Sequence, residues 1–247
     1  MKRTNRQGEV YINNDGENLQ IVEYNGVNDC TIQFEDGTIV KNIQYHNIVS
    51  GGIKNNNRKS VFGIGYIGYG IHKASIKSKH TKCYSIWRGM LQRCYFQYKN
   101  FNTTYLNVNV CDEWLNFQNF AQWFEENYVE GWQLDKDLLC NSSDSKIYSP
   151  TTSCFIPQEI NCLIKEQKET TGTVKVKDKY KSQIGKNKVH NHIGSFDSLE
   201  DANKAYKEEK KKYILSIAEQ YKEQLSINVY NKLINYEIQN HHSNRRT

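Results

Sequence analysis

The chain carries only two prolines, Pro150 and Pro157, and both fall in one stretch, Leu134 to Asn161. That stretch constrains the fold more than any other. Trp132-Gln133-Leu134 leads into Asp135-Lys136-Asp137, and a polar turn follows, Asn141-Ser142-Ser143-Asp144-Ser145. Then comes the short apolar run Cys154-Phe155-Ile156. Proline lacks a backbone N–H and cannot continue a strand ladder, so Pro157 ends that run. Glu159, Ile160 and Asn161 open a helix. The expected order is strand, polar loop, strand, helix, with Cys154 and Phe155 buried and Asp144 on the loop.

A chain of 247 residues has room for one large domain or two to three small ones. Its mean hydropathy of −0.80 suits small modules with much surface. No apolar run is long enough to span a bilayer, so no membrane partner is expected. The amino terminus, MKRTNRQGEV, has charge with no apolar region behind it, and no secretory signal is read there. Seven cysteines occur and none forms a CxxC pair. A disulfide framework is therefore not expected, and a reducing cytoplasm is the simpler setting.

The formal net charge is +6, and its distribution says more than its sum. From Gly51 to Lys99 there are ten Lys or Arg and no acid. From Asp112 to Asp137 there are seven acids and one base. From Thr173 to His192 six Lys stand against Asp178 alone. Two basic blocks flank an acidic one, and a basic block is the electrostatic footprint of phosphate binding.

Residues 8–54 alternate as short strands, with turns at Asn13 to Gly16, Asn25-Gly26 and Asp36-Gly37. A meander this size is expected to curl into a small barrel, an interaction module spanning 1–54. Glycines then punctuate VFGIGYIGYG, which lacks phosphate-loop spacing and reads as a glycine-bearing strand or hairpin. Residues 84–98 read as a helix with Arg88 and Arg93 on its flank. Residues 113–127 read as an amphipathic helix, with Trp114, Phe117, Ala121 and Phe124 on one face, widened by Phe120.

Further on, Thr173–Val176, Lys179–Ile184 and Lys188–Ile193 read as three strands joined by tight turns. Ser198 with Asp201 marks a capped helix start. Leu199, Ala202, Tyr206, Tyr213, Ile217 and Tyr221 supply a stripe facing the sheet. Lys175, Lys177, Lys179 and Lys181 recur every second residue, with the turn at Asp178 interrupting their register. Lys186 and Lys188 extend the basic set, and Gln183 has the amide to pair with an adenine edge. Residues 223–247 are expected to form a last helix and a polar tail.

Two resemblances follow. The order RCY, VCDEW, NFQNFAQWF, LDKD, YSP and IPQEIN, over roughly residues 84–161, is similar to phage and mobile-element HNH endonucleases. The strand–loop–strand–helix order of Leu134–Asn161 resembles their ββα-metal core, although this stretch has no His. The resemblance implies a degenerate HNH-like domain over 55–165. It implies Asp135 and Asp137 as catalytic carboxylates, and Asp135, Asp137, Asp144, Glu159 and Asn161 as ligands for a hard cation such as Mg²⁺. Residues 172–222 resemble the DNA-binding domain of the APETALA and ethylene-response-factor type, with Ile193-Gly194-Ser195-Phe196 before an alanine-bearing helix. Such a domain lays its three-stranded sheet in the major groove of duplex DNA.

The expected fold is therefore α+β and multi-module. Three functions stay open: a Mg²⁺-dependent HNH-like endonuclease, a DNA-binding protein on a nuclease-like scaffold, and an inhibitor of a host nuclease-based defence acting through its acidic block. The second is expected, in the cytoplasm of a bacterial host, with duplex DNA as partner. Contacts are expected from Lys175, Lys177, Lys179, Lys181, Gln183, Lys186, Lys188, Arg88 and Arg93.

Overall fold

A computed structural model describes residues 5–96, 108–140, 146–164, 172–186 and 189–237. The fold is α+β with several small sheets. It divides into two compact units, residues 1–96 with 112–121 and residues 97–111 with 122–247.

The first unit opens with a four-stranded antiparallel meander: β1 (Val10–Ile12), β2 (Asn18–Gly26), β3 (Asp29–Phe34) and β4 (Ile39–Ile43). It does not close into the expected barrel. β1 pairs only with β2 and β4 only with β3, and β1 is three residues long. The core is Leu19, Ile21, Cys30, Ile32 and Phe34, completed by Ile48 of the short helix α1 (Tyr45–Val49) and by Ile53. The buried Asn13 fastens that covering segment. Its amide donates to the Ile53 carbonyl at 3.1 Å, and its Oδ1 accepts from the Glu17 backbone at 2.7 Å. Asn25-Gly26 lies within the end of β2, and the turn falls at Val27-Asn28.

Asn55 is held rather than free, donating to Asp36 at 2.8 Å. The glycine-rich segment makes a tight turn bridging Val61 to Gly65, then runs beside Asn116. A β-carbon on Gly68, whose φ is +70°, would lie 2.2 Å from Asn116 Oδ1, so only glycine fits. A two-residue turn joins β5 (Ser75–Ile76) to β6 (Lys79–His80). Helix α2 (Lys82–Leu91) starts on a Thr81 cap and continues as a π-turn through Phe96. Its Trp87 is fully buried and donates to the Trp114 carbonyl at 2.7 Å. Tyr84, Trp87 and Phe117 form one aromatic cluster. Helix α3 (Phe117–Asn127) follows a 3₁₀ turn over Asp112–Leu115 and ends in the second unit.

In the second unit β7 (Asn109–Val110) runs parallel to β9 (Ile147–Tyr148), and β8 (Gln133–Asp135) runs antiparallel to β10 (Cys154–Ile156). Helix α4 (Gln158–Ile164) follows directly after Pro157. The strand–strand–helix order of the central stretch is present, and Cys154 and Phe155 are buried. The turn carrying Asp144 lies outside the described residues. Phe155 packs on Trp123, Phe124 and Tyr128.

The chain ends in an antiparallel sheet of β11 (Thr173–Val176), β12 (Lys179–Lys186) and β13 (Val189–Phe196), backed by α5 (Leu199–Gln220) and followed by α6 (Ile227–Ile234). Ser198 caps α5, accepting from the Asp201 N–H at 3.0 Å. One continuous apolar core joins Leu138, Cys154, Ile156, Ile160 and Leu163 to Ile184, Tyr206, Ile214, Ile217, Val229 and Leu233. The expected modules 55–165 and 172–222 thus share a core. Among the described residues no helix is long and apolar enough to cross a membrane.

Candidate nucleic-acid interface

Strand alternation sorts the carboxy-terminal sheet into two faces. On β12, Ser182 and Ile184 are buried toward α5, while Lys179, Lys181, Gln183 and Gly185 are exposed. Cross-strand partners extend the outer face: Val176 lies beside Lys179, Val174 and Ser195 beside Lys181, His192 beside Gln183 and His190 beside Gly185. All of these are exposed. A bulge between Ser182 and Gln183 shifts the register so that Ile193 has no partner on β12, and Ile193 packs on the core instead. Of the charges on this face, Lys179 makes an exposed ion pair with Asp197 at 3.2 Å, a contact that solvent weakens.

The four lysines spaced by two do not share a face. The β11–β12 connection is the two-residue turn Lys177-Asp178, with Lys177 at φ +54°. It folds Lys175 opposite Tyr180, on the helix-facing side, where its ammonium lies 5.7 Å from the Tyr180 ring centroid. Lys177 stands exposed at the turn. Lys186 also belongs to the inner side. Its ammonium donates to Glu209 of α5 at 2.5 Å and lies 5.1 Å over the Tyr213 ring. That hydrogen bond holds the Glu209 carboxyl below its ordinary value. Lys188 lies outside the described residues. The sheet therefore presents Lys177, Lys179, Lys181 and Gln183 outward, while the exposed Lys175 and the half-buried Lys186 lie on its helix side.

In the central stretch the expected catalytic carboxylates have separate structural tasks. Asp135 is buried, and its Oδ2 accepts the N–H groups of Asp137 at 2.9 Å and Leu138 at 2.8 Å, tying the turn after β8. Burial pushes its carboxyl above the ordinary value against the pull of those bonds. Asp137 is exposed and paired with the buried Lys136 at 2.7 Å and with Lys146 at 3.7 Å. Asn161 gives its amide to Gln133 at 2.8 Å, and Glu159 is exposed on α4. Among the described residues no three His, Cys, Asp or Glu side chains gather to hold a metal. Of the expected Mg²⁺ ligands, Asp144 lies outside the described residues.

Arg88 is exposed on α2 and stacks on Phe62, its guanidinium carbon 4.9 Å from the ring centroid. Arg93 lies half-buried in the π-turn. Both belong to the first unit, whereas the sheet belongs to the second. The acidic block is also divided, with Asp112 and Glu113 in the first unit and Glu125, Glu126, Glu130, Asp135 and Asp137 in the second.

Reading the sequence by strands missed His190 and His192. Their spacing of two around Asn191 was a visible sign that they share a face, but the side they take depends on the bulge. The fold and this site define an α+β protein that leaves one face of a basic three-stranded sheet open to solvent. No family model matches the chain, and neither a curated protein nor a solved structure does.

Proposed function

We propose that this protein binds duplex DNA with the outer face of the β11–β13 sheet. One observation carries the reading: α5 covers one side of the sheet, and the other side carries Lys179, Lys181, Gln183, His190 and His192 exposed together. Lysines on a strand pair meet phosphates as point charges, and a two-stranded or wider ribbon fits the major groove. Gln183, Ser195 and His192 offer hydrogen-bonding groups for base edges. Arginine is absent from the sheet, so bidentate guanine reading is not part of the proposal. A phage or mobile-element setting, and with it the cytoplasm of a bacterial host, belongs to the same proposal. The inhibitor reading has less support, since Asp135 of its acidic block is buried.

The test is a mobility-shift titration of the full chain on duplex DNA across a salt series. Contacts from Lys177, Lys179 and Lys181 predict a log–log slope of about −3. Absence of binding at low salt, or binding that ignores salt, would overturn the proposal.

A further inference from the structure

The second unit contains a cavity of about 670 Å³ between α4 and the layer formed by β12, β13 and α5. Its size falls within the ~300–1,000 Å³ of small-molecule sites. Four rings line it, Trp132, Tyr206, Tyr213 and Tyr221, with Leu163 and Ile184 between them. The Trp132 and Tyr221 rings meet edge to face at 5.6 Å. Glu130, Gln158 and Glu159 also line it, and the Glu130 carboxylate takes a hydrogen bond from the Tyr128 hydroxyl at 3.0 Å. Among the described lining residues there is no Lys or Arg, although the surrounding sheet is rich in lysine. Glu130 and Glu159 would repel a phosphate or other anion.

We infer that this cavity binds a nucleobase carrying an exocyclic amino group. Aromatic walls offer stacking faces to a flat ring, and such stacking tolerates any base. Carboxylates select among bases, because adenine, cytosine and guanine have an amino donor that thymine lacks. An organic cation would also suit rings and carboxylates. Lys186 argues against it, since its ammonium already lies 5.1 Å over the Tyr213 ring. A second cation would meet that charge, whereas a neutral base would not.

The position of the cavity suggests a source for the base. Gly185 and His190, paired across β12 and β13 on the outer face, also line it. A duplex on that face would have the cavity at the end of its track. An extruded base is thus one source and a free nucleoside the other, and only the first rests on the DNA-binding proposal.

Calorimetric titration of the full chain with adenosine, cytidine, guanosine and thymidine tests the chemistry. The three amino-bearing nucleosides should bind, with thymidine weaker by about 10-fold or more, and Glu159→Gln should weaken them by about 10-fold. Glu159 is exposed, and an unchanged melting temperature checks that the variant folds. Mobility shifts separate the sources. If the base comes from DNA, a single mismatch lowers the cost of extrusion and should tighten binding by about 5- to 10-fold, a gain that Glu159→Gln removes while matched duplex binds as before. Nucleoside binding with no mismatch gain assigns the cavity to a free nucleoside. Nucleoside binding by a protein that binds no DNA overturns the DNA proposal and leaves this one standing. Neither nucleoside binding nor a Glu159-dependent mismatch gain, or tetramethylammonium binding in their place, would overturn it.

Discussion

The Asp135 carboxylate oxygen lies 2.8 Å from the backbone nitrogen of Leu138, and the same oxygen takes the N–H of Asp137. A residue that resembles a catalytic carboxylate thus closes a turn. Asp135→Ala should leave two backbone donors unmet, the Leu138 N–H buried, and lower stability by about 1–3 kcal/mol, measured by urea unfolding. Asp135→Asn keeps an acceptor oxygen and should lose less. Equal losses would show that the turn does not depend on this acceptor.

The salt slope should sort the lysines by face. Lys179→Ala with Lys181→Ala should reduce its magnitude by up to about 2 and weaken all sequences alike. Lys175→Ala should leave the slope unchanged, because that side chain lies on the helix side. Lys186→Ala should lower the melting temperature through the lost Glu209 contact and also leave the slope unchanged. A slope that falls for Lys175 or Lys186 would place DNA on the other face.

Lys210 lies on the core stripe of α5, between Tyr206 and Ile214 one turn either side, with 2% of its surface exposed. Burial lowers its pKa to about 8. The unfolded chain then holds the proton more tightly, so stability should rise as pH climbs from about 8 toward the ordinary lysine value of about 10.4. Below that window both states are protonated and this contribution is flat. Lys210→Met keeps the stem and should remove the slope. Thermal melts at several pH values decide it.

Gly172 has φ +83°, and a β-carbon there would lie 2.2 Å from the Tyr206 ring. Gly172→Ala meets both backbone strain and a clash with a buried ring, and should cost about 2 kcal/mol or more. The measurement is the midpoint of denaturant unfolding. A neutral result would mean that Tyr206 moves aside easily.

Local chemistry made the secondary structure of the carboxy-terminal region readable. Turn residues, strand alternation and the Ser198 cap act within a few positions of one another, and the strands begin and end close to where they were expected. The strand–helix order around Pro157 was readable for the same reason. The faces of the lysines were less so, because the Lys177-Asp178 turn reverses which parity points outward. The shared core of Leu138 and Ile160 with Ile214 and Val229 depends on contacts between distant segments, which periodicity does not encode. The task of Asp135 was hidden as well, since a carboxylate that caps a turn and one that holds a metal look alike in a string of residues.

The unpaired Ile193 makes the outer face depend on where the bulge sits. A ladder straightened with Ile193 kept in the strand would carry the Phe196–Tyr180 register through to the end of the sheet. Gln183 would then lie beside Ile193, and the rest of β13 would slip by one. His190 and His192 would turn toward α5, and Asn191 would take their place on the outer face. A single codon lost in frame at Ile193 would do the opposite, leaving His192 beside Gln183 and His190 beside Gly185 in a ladder with no bulge to slip.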